Sequence, residues 1–191
     1  MTEPGPSRVI VALTGASGAV LGVRALERLR TLGVETHLVL SAAARITIAQ
    51  ETDRKVSDVL ALAHTSYDPR DIGAAIASGS FPVQGMIVIP CSIKTLSGIA
   101  NSYADDLIVR AADVTLKEGR PLVLVVRETP LHRGHLRLLD LAAQAGAVIF
   151  PPVPAFYQRP ATLDEMIDHT VARALQRLGI PNAGVLPWKG L

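Results

Sequence analysis

The stretch that decides the fold is RVIVALTGASGA, residues 8–19. Its first six residues form an almost unbroken apolar, β-branched run, which predicts a strand buried on both faces. A glycine turn at 14–18 follows, and residues 19–32 carry apolar side chains at helical spacing, up to Gly33. Because the free N–H groups at the start of a helix attract anions, a strand, a glycine turn and a helix in this order predict a phosphate site.

The same turn argues against a dinucleotide as the ligand. It lacks the full G-x-G-x-x-G pattern, and the acid that follows the helix, Glu35, comes too early to match the ribose-binding acid of dinucleotide sites. These two departures favour a mononucleotide such as FMN.

Composition narrows the class of protein. Of 191 residues, 49% are apolar but only 4% aromatic, so the core is built mainly from aliphatic side chains, as in alternating α/β folds. The net charge of +2 is too small to argue for a nucleic-acid partner. One cysteine, Cys91, fits a reducing compartment, and no run has the length of a membrane span or the pattern of a leader peptide. We therefore expect a cytoplasmic protein that does not enter the membrane.

Further apolar runs alternate with helical patterns along the chain. Residues 34–40, 85–90, 121–126 and 147–150 are predicted as strands that share one parallel sheet. The polar stretch 64–69 is predicted as a turn or loop.

Polar residues follow several of these strands, where open α/β sheets bind their ligands. Ser41 and Ser92 each come between a strand and a helix, so each is either a plain helix cap or a ligand contact. Arg127 and Glu128 end the strand at 121–126, and charges at such a position favour a functional role. Cys91 has no histidine near it in sequence, which favours a buried structural side chain over a nucleophile.

A helix over 107–118 carries two cations on one face. Arg110 and Lys117 lie at helical spacing around Asp113. Spacing alone favours a solvated face on which Asp113 pairs with both cations, and it leaves open an anion site.

Five stretches together resemble the UbiX-type flavin prenyltransferases. The resemblance runs in the family's order over residues 8–179, and its matching stretches are TGASGA at 14–19, PCS at 90–92, RAADVTLKE at 110–118, PLVLVVRETPL at 121–131 and PAFYQRP at 154–160. The pair RAADVTLKE and VRETPL is far more specific than the glycine turn.

This resemblance implies a single flavoprotein domain over 1–191, with a core at 8–179 and a tail at 180–191, in a Rossmann-like or flavodoxin-like three-layer α/β fold with a mostly parallel sheet. It implies transfer of a dimethylallyl group from dimethylallyl phosphate to reduced FMN, first at N5 and then at C6. The product, prenylated FMN, serves a UbiD-type decarboxylase. Members of the family assemble as dodecamers, with the flavin near subunit contacts.

The resemblance also assigns roles to individual residues. The residues implied for FMN are Gly15, Ala16, Ser17, Ser41, Ser92, Ile93, Lys94, Thr95 and Arg127. Those implied for dimethylallyl phosphate are Tyr157, Arg173, Arg110 and Lys117. The residues implied for catalysis are Ser17, Glu51, Glu128, Arg110 and Lys117, with Trp188 matching an aromatic residue of the tail. No metal is implied, because the cationic side chains take the place that magnesium has in most prenyl transfer.

Two other functions compete with this one. An FMN-dependent cysteine-peptide decarboxylase would need a Pro-Ala-Ser-Ala-Asn motif where this chain has Pro90-Cys91-Ser92-Ile93-Lys94. A non-catalytic FMN-binding subunit of an aromatic-acid decarboxylase would differ mainly in leaving FMN unmodified.

Overall fold

A computed structural model describes residues 7–180 and 183–184 of the chain. The strands of this part are β1 (Arg8–Leu13), β2 (Glu35–Leu40), β3 (Thr65–Tyr67), β4 (Gly85–Cys91), β5 (Leu122–Val126) and β6 (Val148–Ile149). The helices are α1 (Ala19–Thr31), α2 (Ala42–Glu51), α3 (Val56–Leu60), α4 (Ile93–Ala100), α5 (Leu107–Lys117), α6 (Arg133–Gln144) and α7 (Leu163–Gln176).

The strands form one parallel sheet in the order β3-β2-β1-β4-β5-β6. Without the three-residue edge strand β3, this is the 2-1-3-4-5 order of flavodoxin-like folds. The expected α/β fold is confirmed, and the sheet is parallel at every pairing of the described strands.

The prediction of a turn or loop at 64–69 is wrong for its central residues. Thr65–Tyr67 is strand β3, paired in parallel with His37 to Val39 of β2. A strand of three residues at the sheet edge is too short to show alternation in its sequence. Its last residue is held by a contact distant in sequence, since the Tyr67 hydroxyl lies 2.8 Å from Nδ1 of His37.

Helices cover both faces of the sheet. Residues of α1, α2 and α7 pack in one apolar cluster with Val11 and Leu13. Residues of α4 and α5 pack in a second cluster on the opposite face, with Ile10 and Ala12. The prediction that β1 is buried on both faces is confirmed, because its successive side chains enter different cores.

The position where β1 meets β4 opens the crevice that binds ligands in such folds. These strands are neighbours, and α1 leaves one of them toward one face while α4 leaves the other toward the opposite face. The turns after β1 and β4 therefore lie side by side at the carboxyl edge of the sheet. Among the described residues, no helix combines the length and apolar character that a membrane crossing requires.

Candidate active site

Thr14 joins the two central turns. Its hydroxyl donates to the carbonyl of Pro90 at 2.8 Å and accepts from the backbone N–H of Ser92 at 2.8 Å. The side chain is buried, so these bonds are shielded from water. The glycine turn after β1 and the start of α4 are thereby fixed against each other.

A cleft of about 510 Å³ lies beside this junction, and we call it the polar cleft after the hydroxyl and charged side chains that line it. It is lined by Thr14, Gly15, Ser41, Ala42, Ala43, Pro69, Arg70, Ser92, Lys94, Thr95 and Asp106. Five of the residues predicted for the cofactor therefore line one cleft, and a sixth, Ile93, lines a neighbouring cleft together with Lys94.

Two helices begin at the polar cleft. Ser41 caps α2, with its hydroxyl oxygen 3.0 Å from the N–H of Ala44, and Ser92 caps α4, with the corresponding oxygen 3.4 Å from the N–H of Thr95. Both serines are thus helix caps as well as cleft residues. Two helix N-termini and the ammonium of Lys94 give this cleft the donor set that a phosphate group requires.

Close backbone packing forms the wall of this cleft. A Cβ added at Gly15 would collide with the Cβ of Ala43 at the start of α2. The first glycine of the turn is therefore needed for this close approach.

The glycine turn predicted that the N-terminus of α1 binds a phosphate, but a carboxylate of the protein itself lies there. The Glu51 carboxylate accepts from the N–H groups of Gly18 and Ala19, at 2.7 and 3.0 Å. The phosphate predicted at the start of α1 would therefore have to compete with Glu51, whereas the N-termini of α2 and α4 face the polar cleft.

The Glu51 carboxylate also interacts with other parts of the site. Burial alone would raise its pKa, but the backbone hydrogen bonds from Ala19 and Gly18 outweigh burial. The Ser17 hydroxyl and the charge of Arg127 act in the same direction, so the pKa of Glu51 lies below its ordinary value. Three predicted site residues, Ser17, Glu51 and Arg127, are thus coupled through hydrogen bonding and charge.

A second, mainly apolar cleft of about 270 Å³ adjoins the same turn. Ser17 and Arg127 line it together with Gly18, Val20, Leu21, Pro152, Pro154, Leu163, Met166, Ile167 and Thr170. Ala16 lies between Gly15 in the polar cleft and Ser17 in the apolar cleft, and its own side chain is buried. One turn of the backbone thus borders both clefts.

Helix α7 forms one wall of the apolar cleft and carries Arg173, whose guanidinium donates to the Gln176 side chain at 2.6 Å. Arg24 of α1 holds this helix through Asp164 and Asp168, at 2.8 and 2.6 Å. The rings of Tyr157 and His169 meet edge to face with centroids 6.1 Å apart, and Arg173 follows His169 by one helical turn.

His169 is a residue that the sequence reasoning missed. Its Nε2 is buried and has no hydrogen-bond partner in residues 7–180 and 183–184. Burial, followed by the charge of Arg173, lowers its pKa, so the ring is neutral at physiological pH. The sequence signal that could have identified it is its position four residues before Arg173, which places both residues on the same face of a helix.

Arg110 and Lys117 lie elsewhere. They project from α5, which packs on the face of the sheet opposite α7. Arg110 donates to the carbonyl of Ala77 at 3.3 Å and pairs with Asp113 at 3.2 Å. Lys117 pairs with Glu118, so the prediction that Asp113 pairs with both cations is only half right. One copy of the chain does not bring these cations to Tyr157 and Arg173.

The remaining candidates have simpler surroundings. Glu128 is the second residue after β5, and its carboxylate accepts from the N–H of Thr129 at 3.0 Å. Cys91 is fully buried, as predicted, and burial raises the pKa of its thiol to about 12. Trp188 lies outside the described residues.

Comparisons with known proteins show the family of the chain. The family model described as Flavoprotein matches residues 2–171. The flavin prenyltransferase UbiX of Salmonella typhimurium is 61% identical over 175 residues, which cover 91% of this chain and 93% of that protein.

Two solved structures extend the similarity to the fold. The crystal structure of AnUbiX (PadA1) in complex with FMN and dimethylallyl pyrophosphate has a TM-score of 0.95 and 50% identity, covering 97% of this chain and 99% of that one. The dodecameric FMN-dependent UbiX-like decarboxylase from Escherichia coli O157:H7 has a TM-score of 0.92 and 51% identity, covering 96% and 100%. The chain therefore belongs to the flavoprotein family and, within it, to the UbiX flavin prenyltransferases.

Proposed function

We propose that this protein transfers the dimethylallyl group of dimethylallyl phosphate to reduced FMN, forming prenylated FMN. The observation that carries this proposal is the Gly15–Ser17 turn, which borders a polar cleft on one side and an apolar cleft on the other. FMN would place its phosphate in the polar cleft, and the short prenyl chain of the donor would lie in the apolar cleft. The two substrates would then meet at this turn.

The polar cleft fits FMN. The N-termini of α2 and α4, the hydroxyls of Ser41 and Ser92, and Lys94 would bind the phosphate. Gly15, Ala16, Ser17, Ile93, Thr95 and Arg127 are the further residues we assign to the flavin. When bound and reduced, FMN supplies the nucleophilic atoms N5 and C6.

The apolar cleft fits a dimethylallyl chain. Side chains such as Leu21, Met166 and Ile167 exclude water from the reacting carbon. Arg173 lies on α7, the helix that lines the apolar cleft, and the ring of Tyr157 contacts His169 of the same helix. We assign the donor phosphate to Tyr157 and Arg173, whose phenol and guanidinium fork would hold it. Negative charge develops on that phosphate as the allylic C–O bond breaks, and these groups stabilise it.

The remaining cations of the site would come from a second copy of the chain. Arg110 and Lys117 lie on the opposite face of the sheet from Arg173, in agreement with the dodecameric assembly of the related Escherichia coli protein. We propose that α5 of one copy approaches the apolar cleft of another, so that three cations surround the departing phosphate without a metal ion.

We propose different roles for the two candidate carboxylates. Glu51 hydrogen-bonds with Ser17 at the border between the clefts and remains ionised because its pKa is lowered. Glu128 follows Arg127 at the end of β5, where we propose that it moves a proton between the flavin and the phosphate. The consumer of the product would be a UbiD-type decarboxylase, and we propose that both proteins act in the cytoplasm.

The test is the mass of the flavin that the purified protein releases. Anaerobic incubation with reduced FMN and dimethylallyl phosphate should give a flavin heavier by one dimethylallyl unit. Unmodified FMN, with the monophosphate donor and again with the pyrophosphate donor, would contradict the proposal and favour a non-catalytic subunit or a cysteine-peptide decarboxylase.

A further inference from the structure

We infer that Arg70 is a further FMN-binding residue, that it contacts the flavin phosphate, and that Asp68 orients its guanidinium. The inference rests on the proposed function, because it takes FMN as the ligand of the polar cleft.

The sheet topology brings Arg70 to this cleft. Strand β3 pairs in parallel with β2, so the residues after β3 lie beside Ser41, which follows β2. Pro69 and Arg70 line the polar cleft together with Ser41 and Ser92. The N–H of Leu107 donates to the carbonyl of Pro69 at 2.8 Å, which fixes this loop to the start of α5.

Asp68 holds the guanidinium in one orientation. One carboxylate oxygen accepts from the backbone N–H and from Nε of Arg70, at 2.9 and 3.1 Å, and the other accepts from Nη2 at 2.8 Å. The Arg70 side chain is 89% exposed, and ion pairs so exposed add little to stability. Nη1 donates to no other described residue, so it remains available to a ligand.

The charges in the polar cleft indicate that binding a phosphate requires a second cation. The ammonium of Lys94 lies 3.8 Å from carboxylates of both Asp105 and Asp106, and Asp106 itself lines the cleft. These acids offset the charge of Lys94, whereas a phosphate monoester carries between one and two negative charges near neutral pH. Arg70 is itself paired with Asp68, but its Nη1 adds a further cationic donor, in a planar fork that suits phosphate oxygens.

Binding of FMN and of riboflavin, which lacks the phosphate, tests the inference. Titrations followed by flavin fluorescence should show that Arg70→Ala raises the Kd for FMN about tenfold, the size of one charge-assisted hydrogen bond, and leaves the Kd for riboflavin unchanged. Arg70→Lys should lose less affinity for FMN. Asp68→Asn should also lose FMN affinity selectively, because the arginine keeps its charge but not its orientation.

Arg45→Ala is the matched control. The positive charge of this exposed α2 residue contributes to lowering the pKa of Asp68, but Arg45 does not line the cleft. Both Kd values should therefore stay unchanged. An Arg70→Ala protein that binds FMN as tightly as the wild type, or that loses affinity for both flavins by the same factor, would overturn the inference. Failure of the proposed function is distinct, because the wild-type protein would then bind FMN and release it unmodified.

Discussion

The carboxylate of Glu51 accepts a hydrogen bond of 2.7 Å from the backbone N–H of Gly18. Glu51 is the last residue of α2, and Gly18 is the residue before α1, so one side chain closes the N-terminus of a helix that is distant in sequence. Capping bonds of this kind stabilise a protein by about 1 kcal/mol.

Glu51→Gln should therefore lower the free energy of unfolding by about 1 kcal/mol at pH 7. The folded-state pKa of Glu51 is lowered, so its contribution is present above the ordinary value of 4.5 and is lost as pH falls through the folded-state pKa. Urea unfolding at neutral and at acidic pH should show the difference between variant and wild type shrinking in acid. A difference that is absent at pH 7, or that does not change with pH, would contradict this cap.

A second prediction concerns cations from two copies of the chain. Lys117→Ala and Arg173→Ala should each lower the rate of prenyl transfer by about 100-fold, because each removes a positive charge that stabilises the departing phosphate. If Lys117 and Arg173 of one site come from different copies, co-expressing the two variants restores intact sites, about a quarter of the total under random mixing.

The matched control co-expresses Lys117→Ala with Arg110→Ala. Both residues lie on α5, so every copy then carries a damaged helix and no activity should return. Failure of the Lys117 and Arg173 pair to recover would place both cations of each site on the same copy.

Arg173 should act on the donor and not on the flavin. It lies on α7, which lines the apolar cleft, whereas no residue of α7 lines the polar cleft. Arg173→Ala should raise the KM for dimethylallyl phosphate at least tenfold, with Arg173→Lys intermediate because it keeps the charge but loses the fork. The Kd for FMN, measured by fluorescence, should stay within about twofold. Loss of FMN binding would assign Arg173 to the flavin.

The surroundings of His37 predict that the stability of the fold depends on pH. This effect does not involve the candidate active site. Its Nε2 lies 2.9 Å from the Glu35 carboxylate and its Nδ1 lies 2.8 Å from the Tyr67 hydroxyl. An ionised carboxylate only accepts, so Nε2 carries the proton and Nδ1 accepts from tyrosine. Burial lowers the pKa of His37 despite the opposing effect of Glu35.

The unfolded chain therefore binds a proton at His37 more readily than the folded chain does. Stability from this group is complete above the ordinary pKa of 6.5 and falls as pH drops below it. His37→Gln, which can still donate to Glu35, should show a smaller decrease in Tm between about pH 7.5 and pH 5.5 than the wild type. Equal decreases in both proteins would exclude His37 as the source.

Sequence patterns predicted the parts of the site that are local. The buried runs of β1 and β4 and the serines that follow β2 and β4 each carry a signal within a few residues. Strand β3 has only three residues, and missing it also hid the place of Arg70 at the cleft.

Contacts between distant elements could not be predicted in this way. The Glu51 cap depends on how α2 packs against α1, and a glutamate at a helix end looks solvated in the sequence. Whether Arg110 and Arg173 face the same cleft depends on which side of the sheet each helix crosses. The resemblance to a family named both residues for one ligand, but only the topology separates them within one copy.

The central claim is that the protein's own cations, without a metal ion, stabilise the departing phosphate. The most direct test is the rate of prenylated flavin formation, followed by mass spectrometry, before and after treatment of the protein and substrates with a strong chelator. We predict the same rate in both samples, because Arg110, Lys117 and Arg173 supply the charge. Loss of product after chelation, with recovery on adding magnesium, would contradict the account.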